Sequence, residues 1–303
     1  MLNPKNLTQK MIFGTILLRF WLKIIEKSGY EMILIEDCLK EFEKKISAEI
    51  EAQKVRQKRI NEIFANAYNL DGIVSTEPSE KDIGIKMKDI RSAVSDLISY
   101  AVGCVFGRYS LDFEGLIFAG GEWDEEKYKT FPPVKENIVV LAGRKYGLKN
   151  DLSLLVSEFI KTVFGEEIYE ENMKFIAKAL SGDSYIGSPL AVLDSYFLKD
   201  FYKEHVRAYS GRPIYWAVSS GRAKAFFGYI YYHRIDQDTI KYIKAFSLSA
   251  AEKAEEKKKN ELYAFIERID NIINLNPSID FDAGIMYNYN NLSDFLAGLD
   301  RQF

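Results

Sequence analysis

The stretch YSGRPIYWAVSSGRAKAFFGYIYYHRIDQDTIKYIK, Tyr209–Lys244, is the densest aromatic run in the chain, and its reading decides the fold. From Pro213 to Ser219 the residues alternate. Ile214, Trp216 and Val218 fall on one side and Tyr215, Ala217 and Ser219 on the other, a period of two that predicts a strand. Ser220–Lys224 supplies a turn, with Gly221 free to take positive φ. Ala225–His233 reads as the return strand. It is apolar and aromatic on both faces, which predicts burial from both sides. Asp236 or Asp238 is the expected cap of a following helix that carries Ile240, Ile243 and Phe246.

Upstream of the hairpin the period changes to three and four. Leu39, Phe42, Ile46 and Ile50, then Ile60, Ile63, Phe64, Ala67 and Tyr68, predict one long helix over 36–69. Its middle, Glu51–Arg59, is almost wholly polar. A helix apolar at its ends and polar between often bridges two bodies. Gly72 reads as its stop, and residues 71–88 as a linker punctuated by Pro78 and Gly84. A second helix carries Ile90, Val94, Leu97, Ile98, Ala101, Val102 and Val105. Gly103 and Gly107, four apart near its end, predict the close approach of a neighbouring backbone. Residues 108–143 lose helical period and read as short strands or an irregular aromatic loop. Asp151 and Gly165 bracket another helix, Ile168–Leu180 forms the next, and Ser188-Pro189 opens one running to about His205. Downstream, 247–273 reads as a charged helix whose apolar seam (Leu262, Phe265, Ile266, Ile269, Ile272, Ile273) fits a helix pair, with 36–69 as the candidate partner. The expected class is α+β, predominantly α-helical: a helical module with a buried antiparallel β-hairpin and long flanking helices. The expected divisions are 1–85, 86–246 and 247–303.

Composition sets the limits on function. The 303 residues are 47% apolar and 14% aromatic, enough for a sizeable core. With 41 basic and 44 acidic residues the net charge is −3, so no global field draws the chain to nucleic acid or membrane, and such contacts need a local patch. The two cysteines, Cys38 and Cys104, read as buried free thiols in a reducing cytoplasm. Two dispersed histidines and two cysteines do not make a zinc site. The apolar run Met11–Ile25 is interrupted by Arg19 and Lys23. It falls short of the ~20 residues needed to span a bilayer and lacks a cleavage site. We read it as an amphipathic or buried helix, and the protein as cytoplasmic.

Few residues offer chemistry. His233 lies near Asp236 and Asp238, but the aspartates serve better as helix caps. Asp112 and Glu114 form a loop pair without an evident partner. There is no P-loop and no GxGxxG between strand and helix. The Asn/Asp-Pro-Pro-Tyr/Phe loop of an amino-directed DNA methyltransferase is also missing, since Pro132-Pro133 lies between Phe131 and Val134. No catalytic, cofactor-binding or metal residue is assigned. The basic residues around the hairpin are the better candidates. Arg207, Arg212, Arg222, Lys224, Arg234, Lys241 and Lys244 interleave with Tyr and Trp, and contacts from such a set to phosphates would position a duplex. The competing reading is a solvated rim around an aromatic core.

Three blocks in sequence order resemble a known family: ISYAVGCVFGRYSLDFEGLIFAGG (Ile98–Gly121), FLKDFYKEHVRAYSGRPIYWAVSSGRAKAFFGYIYYHRIDQDTI (Phe197–Ile240) and IDFDAGIMYNY (Ile279–Tyr289). They are similar to the C-terminal part of the BREX-type adenine-specific DNA methyltransferases called PglX. RINEIFANAYNL (Arg59–Leu70) is similar to a segment that precedes those blocks in the family. The resemblance covers about 36–303; Ala142–Leu148 departs from it by replacing an acidic stretch. In that family the S-adenosylmethionine pocket and the Asn-Pro-Pro-Tyr loop lie upstream, so the resemblance implies a part without them, inactive alone. It implies a role in phage defence and double-stranded DNA as partner; of the basic set read from the residues, Arg207, Arg212, Arg222, Lys224, Arg234 and Lys241 are the expected DNA-binding site. Two alternatives stand beside it: a helical module that docks other BREX components, and half of a methyltransferase completed in trans.

Overall fold

The computed structural model describes residues 33–141, 143–182 and 185–296. The Met11–Ile25 reading lies outside them. The hairpin sits at the centre. Strands β2 (Tyr215–Ser219) and β3 (Phe227–Tyr231) pair antiparallel, Tyr215 opposite Tyr231 and Ser219 opposite Phe227. A third strand, β1 (Ile138–Val140), pairs antiparallel with the other edge of β3, giving the order β1-β3-β2. β3 is therefore the middle strand, which explains why it lacks a polar face.

Alternation along the strands sends successive side chains into two different cores. Val139, Tyr215, Ala217, Phe227, Tyr229 and Tyr231 belong to one. Ile138, Val140, Trp216, Val218, Phe226 and Ile230 belong to the other. The sheet is the shared wall between two helical layers.

The first layer is built from upstream helices. α1 (Ile35–Ala67) buries Ile35, Cys38, Leu39, Phe42 and Ile46. Its start is fixed by Asn172 Oδ1, which accepts from Ile35 N at 2.8 Å. α2 (Ile90–Val105) is capped by Asp89, which accepts from Ser92 N. α3 (Leu152–Phe164) is capped by Asp151 and stopped at Gly165, and α4 (Tyr169–Ser181) is stopped at Gly182. α5 (Pro189–Tyr196) starts at the Ser188 cap and passes through a π-turn, Phe197–Phe201, into α6 (Tyr202–Ala208). The second layer is α7 (Gln237–Lys253), α8 (Glu256–Leu275) and α9 (Ile285–Asn291). Asp236, not Asp238, caps α7, in a reciprocal box with Thr239.

Four details differ from the sequence reading. α1 ends at Ala67, because Asn69 takes the left-handed turn that Gly72 was expected to supply. Gly103 and Gly107 make room for the rings of Tyr109 and Trp123 rather than for a backbone. α7 continues to Lys253, across the 246/247 division, and the break falls at Ala254, whose backbone turns extended. The seam of α8 then packs in the second core with α7, whereas the buried residues of α1 belong to the first core. The expected pairing of α8 with 36–69 is not formed. The distal half of α1 is met instead by the 70–88 loop, through Asn61 Nδ2 donating to Thr76 O and Ile85 N donating to Gln53 Oε1. Val55, Ile60, Ile63, Phe64 and Tyr68 there are exposed.

Candidate nucleic-acid interface

The tip of the hairpin is a built turn. Gly221 has φ +145° and Lys224 φ +46°. Ser220 N donates to Phe226 O, and Phe226 N donates back to Ser220 Oγ. Glu261, on α8, closes the turn from the side. Its carboxylate accepts from Ser220 Oγ (2.6 Å), Ala223 N (3.0 Å) and Ala225 N (3.1 Å). Arg268, two turns further along α8, donates to Ser220 O at 2.8 Å. Partial burial works against the charge on Glu261. The bonds from Ser220, Ala225 and Ala223 and the nearby Arg268 guanidinium still hold its carboxyl below the usual range. A Cβ at position 221 would lie 3.3 Å from Glu261 Cδ, so glycine serves both the backbone and the clamp there. The clamp fixes the turn and leaves the Arg222 side chain exposed.

The structure divides the predicted basic set. Arg207, Arg212 and Arg222 are exposed and make no ion pair among the described residues. Arg212 precedes β2 and Arg222 follows it, so they flank a strand about 15 Å long and do not form one cluster. Lys224 lies beside the tip. Its ammonium donates to Leu198 O at 3.2 Å and sits 4.5 Å from the centre of the Phe227 ring. Partial burial, with a smaller push from Lys203, lowers its pKa. Lys241 pairs with Asp238 at 2.8 Å, and Lys244 with Asp270 at 2.5 Å.

Arg234 is built into the molecule. It donates to Phe106 O (2.9 Å) and Val134 O (3.0 Å), and its guanidinium lies 4.0 Å from the centre of the Trp123 ring. Burial pulls it down to about 10. It ties the 106–135 loop to the end of β3.

The remaining polar candidates also have local work. Asp112 staples its loop, accepting from Lys129 N (2.7 Å) and Thr130 N (3.0 Å) and from Thr130 Oγ1. His205 is buried, and its Nε2 accepts from Ile214 N (3.2 Å) and Tyr215 N (3.1 Å), fixing the chain as it enters β2. That role needs a neutral ring, and burial, reinforced by the Arg108 charge, lowers its pKa to about 3. His233 faces a cleft of about 290 Å³ between the 118–137 loop, the start of α7 and Phe281. Among the described residues no group of three acidic, histidine or cysteine side chains is placed to hold a metal.

Sequence reasoning missed Glu261, Arg268 and Asn137. Asn137 bonds to β3 through Nδ2 to Tyr231 O (3.0 Å) and Tyr231 N to Oδ1 (3.3 Å). None of the three sits in a motif, and each acts over a long sequence separation.

No family model matches the chain. Curated relatives do. It is 33% identical over 288 residues to the adenine-specific methyltransferase PglX of Lacticaseibacillus casei (strain Zhang), covering 84% of this chain and 24% of the relative. Over 248 residues it is 33% identical to the adenine-specific methyltransferase BrxX of Escherichia coli O9:H4 (strain HS), covering 67% of this chain and 20% of that protein. Over most of its length, this chain is similar to part of a PglX-type methyltransferase. It spans about a quarter or less of the curated relatives it matches. Among the described residues the named strands pair only antiparallel, and one isolated parallel bridge joins Val140 to Asp151. No helix among them is long and apolar enough to cross a membrane.

Proposed function

We propose that this chain is the DNA-engaging, non-catalytic part of a PglX-type adenine-N6 methyltransferase of a BREX phage-defence system. The observation that carries the reading is the hairpin tip. Glu261 and Arg268 hold the exposed turn between β2 and β3 rigid while Arg222 stays exposed and unpaired among the described residues. A fixed turn that presents an exposed cation suits a phosphate contact, and a charge that need not break an internal ion pair engages phosphate at lower cost. Arg207 and Arg212, at the other end of β2, and Lys224 beside the tip add contacts. Lys241 contributes only by exchanging Asp238 for phosphate. Arg234 acts by holding the site in shape. S-adenosylmethionine and the reacting base belong, in this reading, to the remainder of the methyltransferase.

Duplex binding followed against salt tests it. The expected result is an affinity that falls steeply as salt rises, since each neutralised phosphate releases counterions. Arg222→Ala with Lys224→Ala is expected to weaken binding and to reduce the salt slope by about 1 per lost contact. Absence of binding at low salt, or equal binding by the double variant, rejects the reading.

One observation favours a second role. Ile60, Ile63, Phe64 and Tyr68 form an exposed apolar face on distal α1, the kind of surface that docks another protein body. In that role the chain completes a methyltransferase supplied in trans. Mixing it with the catalytic part of a PglX-type enzyme would then raise S-adenosylmethionine turnover, and Phe64→Asp would abolish the gain. Turnover that stays at background excludes this role.

A further inference from the structure

The cleft at the end of β3 is lined by two nearly parallel aromatic rings, one of them open to solvent. His233 and Phe281 lie within 17° of parallel, with centroids 6.5 Å apart. Tyr232 meets both at a steep angle, at 5.0 Å (62°) from His233 and 5.2 Å (67°) from Phe281. Tyr232 is itself buried, with its hydroxyl accepting from Asn288 Nδ2 at 3.0 Å, so it is a fixed side of the arrangement. Phe281 is 45% exposed and reachable from solvent.

We infer that the cleft between His233 and Phe281 takes one unstacked nucleobase of a nucleic-acid strand. The inference rests on the DNA-engaging reading for the source of that base, not for the slot itself. The polar groups around the cleft argue for a planar ring carrying a phosphate. The His233 ring nitrogens make no hydrogen bond among the described residues, and burial lowers the pKa of the ring. It therefore presents one donor and one acceptor as a neutral aromatic. Lys135, at the rim, makes no ion pair among the described residues. The two acids of the cleft are engaged elsewhere: Glu136 pairs with Lys149, and Asp236 caps α7. A cationic ligand is disfavoured, since Arg234 already covers the Trp123 face and Lys135 repels it. Bases splayed from a strand are held by His and Phe rings in this way.

The chain has two histidines, so selective labelling with ¹³C-histidine gives two sets of ring signals. His205 is buried and serves as internal control of the fold. Deoxyadenosine monophosphate and a single-stranded hexadeoxyadenylate are added in turn. Both are expected to move the His233 ring protons upfield in a saturable way and to leave His205 unmoved. Phe281→Ala and Phe281→Leu should each weaken binding about tenfold. Arg222→Ala should leave the mononucleotide response unchanged. An unmoved His233, an equal response in both Phe281 variants, or the same shift from inorganic phosphate alone overturns the inference. If the mononucleotide fills the slot and duplex DNA binds nowhere, the reading of the tip fails while the slot stands.

Discussion

The two faces of the central sheet meet different kinds of core, although the same five-residue strands supply both. The face carrying Tyr215, Tyr229 and Tyr231 is aromatic and wired with hydrogen bonds. Tyr229 donates to Phe197 O at 2.6 Å, Tyr231 to Phe118 O at 2.7 Å, Arg108 to the Tyr231 hydroxyl at 3.1 Å, and His205 sits against the Tyr215 ring. The face carrying Trp216, Val218 and Ile230 packs on Ile240, Ile243, Leu262 and Phe265, with few polar atoms. The first face specifies geometry, because a buried donor or acceptor tolerates only a partner in the right place. The second supplies burial, which is non-directional. The 106–135 loop is tied to the wired side through Arg108 and Phe118, while the tip is clamped from the dry side by α8.

The largest expected effect is on the dry face. Trp216 is fully buried, against Tyr232 and Tyr289, with Nε1 donating to Pro213 O at 3.0 Å. Trp216→Ala is expected to cost about 3–5 kcal/mol, and the cost should not vary between pH 7 and pH 5. Denaturant unfolding at the two pH values checks this. A strongly pH-dependent cost would mean that the two faces are not separable.

The wired face should show the opposite behaviour. His205 is neutral in the fold, with a pKa of about 3 against the ordinary 6.5. The unfolded chain therefore binds the extra proton first, and stability is complete above about pH 6.5 and declines as pH falls toward 3. The parent should lose stability between pH 7 and pH 5. His205→Gln should be less stable at pH 7, by about 2 kcal/mol for the disturbed Ile214 and Tyr215 N–H groups, with a flatter slope across that window. His233 also has a lowered pKa, so His233→Gln should remove a smaller share of the slope.

Gly228 tests the strand that both faces share. A Cβ there would run into the backbone oxygen of Val139 on β1. Gly228→Ala is expected to cost about 1–3 kcal/mol by forcing β1 away from β3. Hydrogen exchange should show lost protection at Val139 and Leu141, whose N–H donates to Phe227 O, with little change in β2 or at Val140, whose N–H donates to Asn150 O. Equal loss across all three strands would argue that β1 is not an independent edge.

The hairpin was legible because alternation of Ile214, Trp216 and Val218 with Tyr215 and Ala217 is a local signal, and helix ends were legible at Asp151, Gly165, Gly182 and Ser188 for the same reason. β1 was legible only as one of the short strands or loops expected over 108–143: three apolar residues carry no period, and its pairing with Gly228–Ile230 is long-range. The break between α7 and α8 falls in a run of Ala, Glu and Lys with no capping residue, so tertiary packing sets its place. In the candidate site, charge could be counted but not assigned. Arg234 and Arg222 look alike in sequence, yet one is bonded to carbonyls of the 106–134 loop and the other is exposed. Glu261, the residue that fixes the tip, sits inside a charged helical run that reads as solvent-facing.

That last contrast sets the smallest expected change in stability and the sharpest in function. Arg222 touches nothing that holds the fold, so Arg222→Ala should shift stability by no more than about 0.5 kcal/mol while weakening duplex binding and its salt slope. Glu261→Gln keeps the shape of the clamp but removes its charge, one acceptor of the three bonds becoming a donor. It should loosen Ser220–Lys224, seen as faster amide exchange at Ala223 and Ala225. If rigidity of the tip matters for engaging DNA, Glu261→Gln will weaken duplex binding even though it removes a negative charge from beside the ribbon, where simple electrostatics requires tighter binding. The sign of that single change therefore decides whether the tip works as a fixed probe or only as a positive charge.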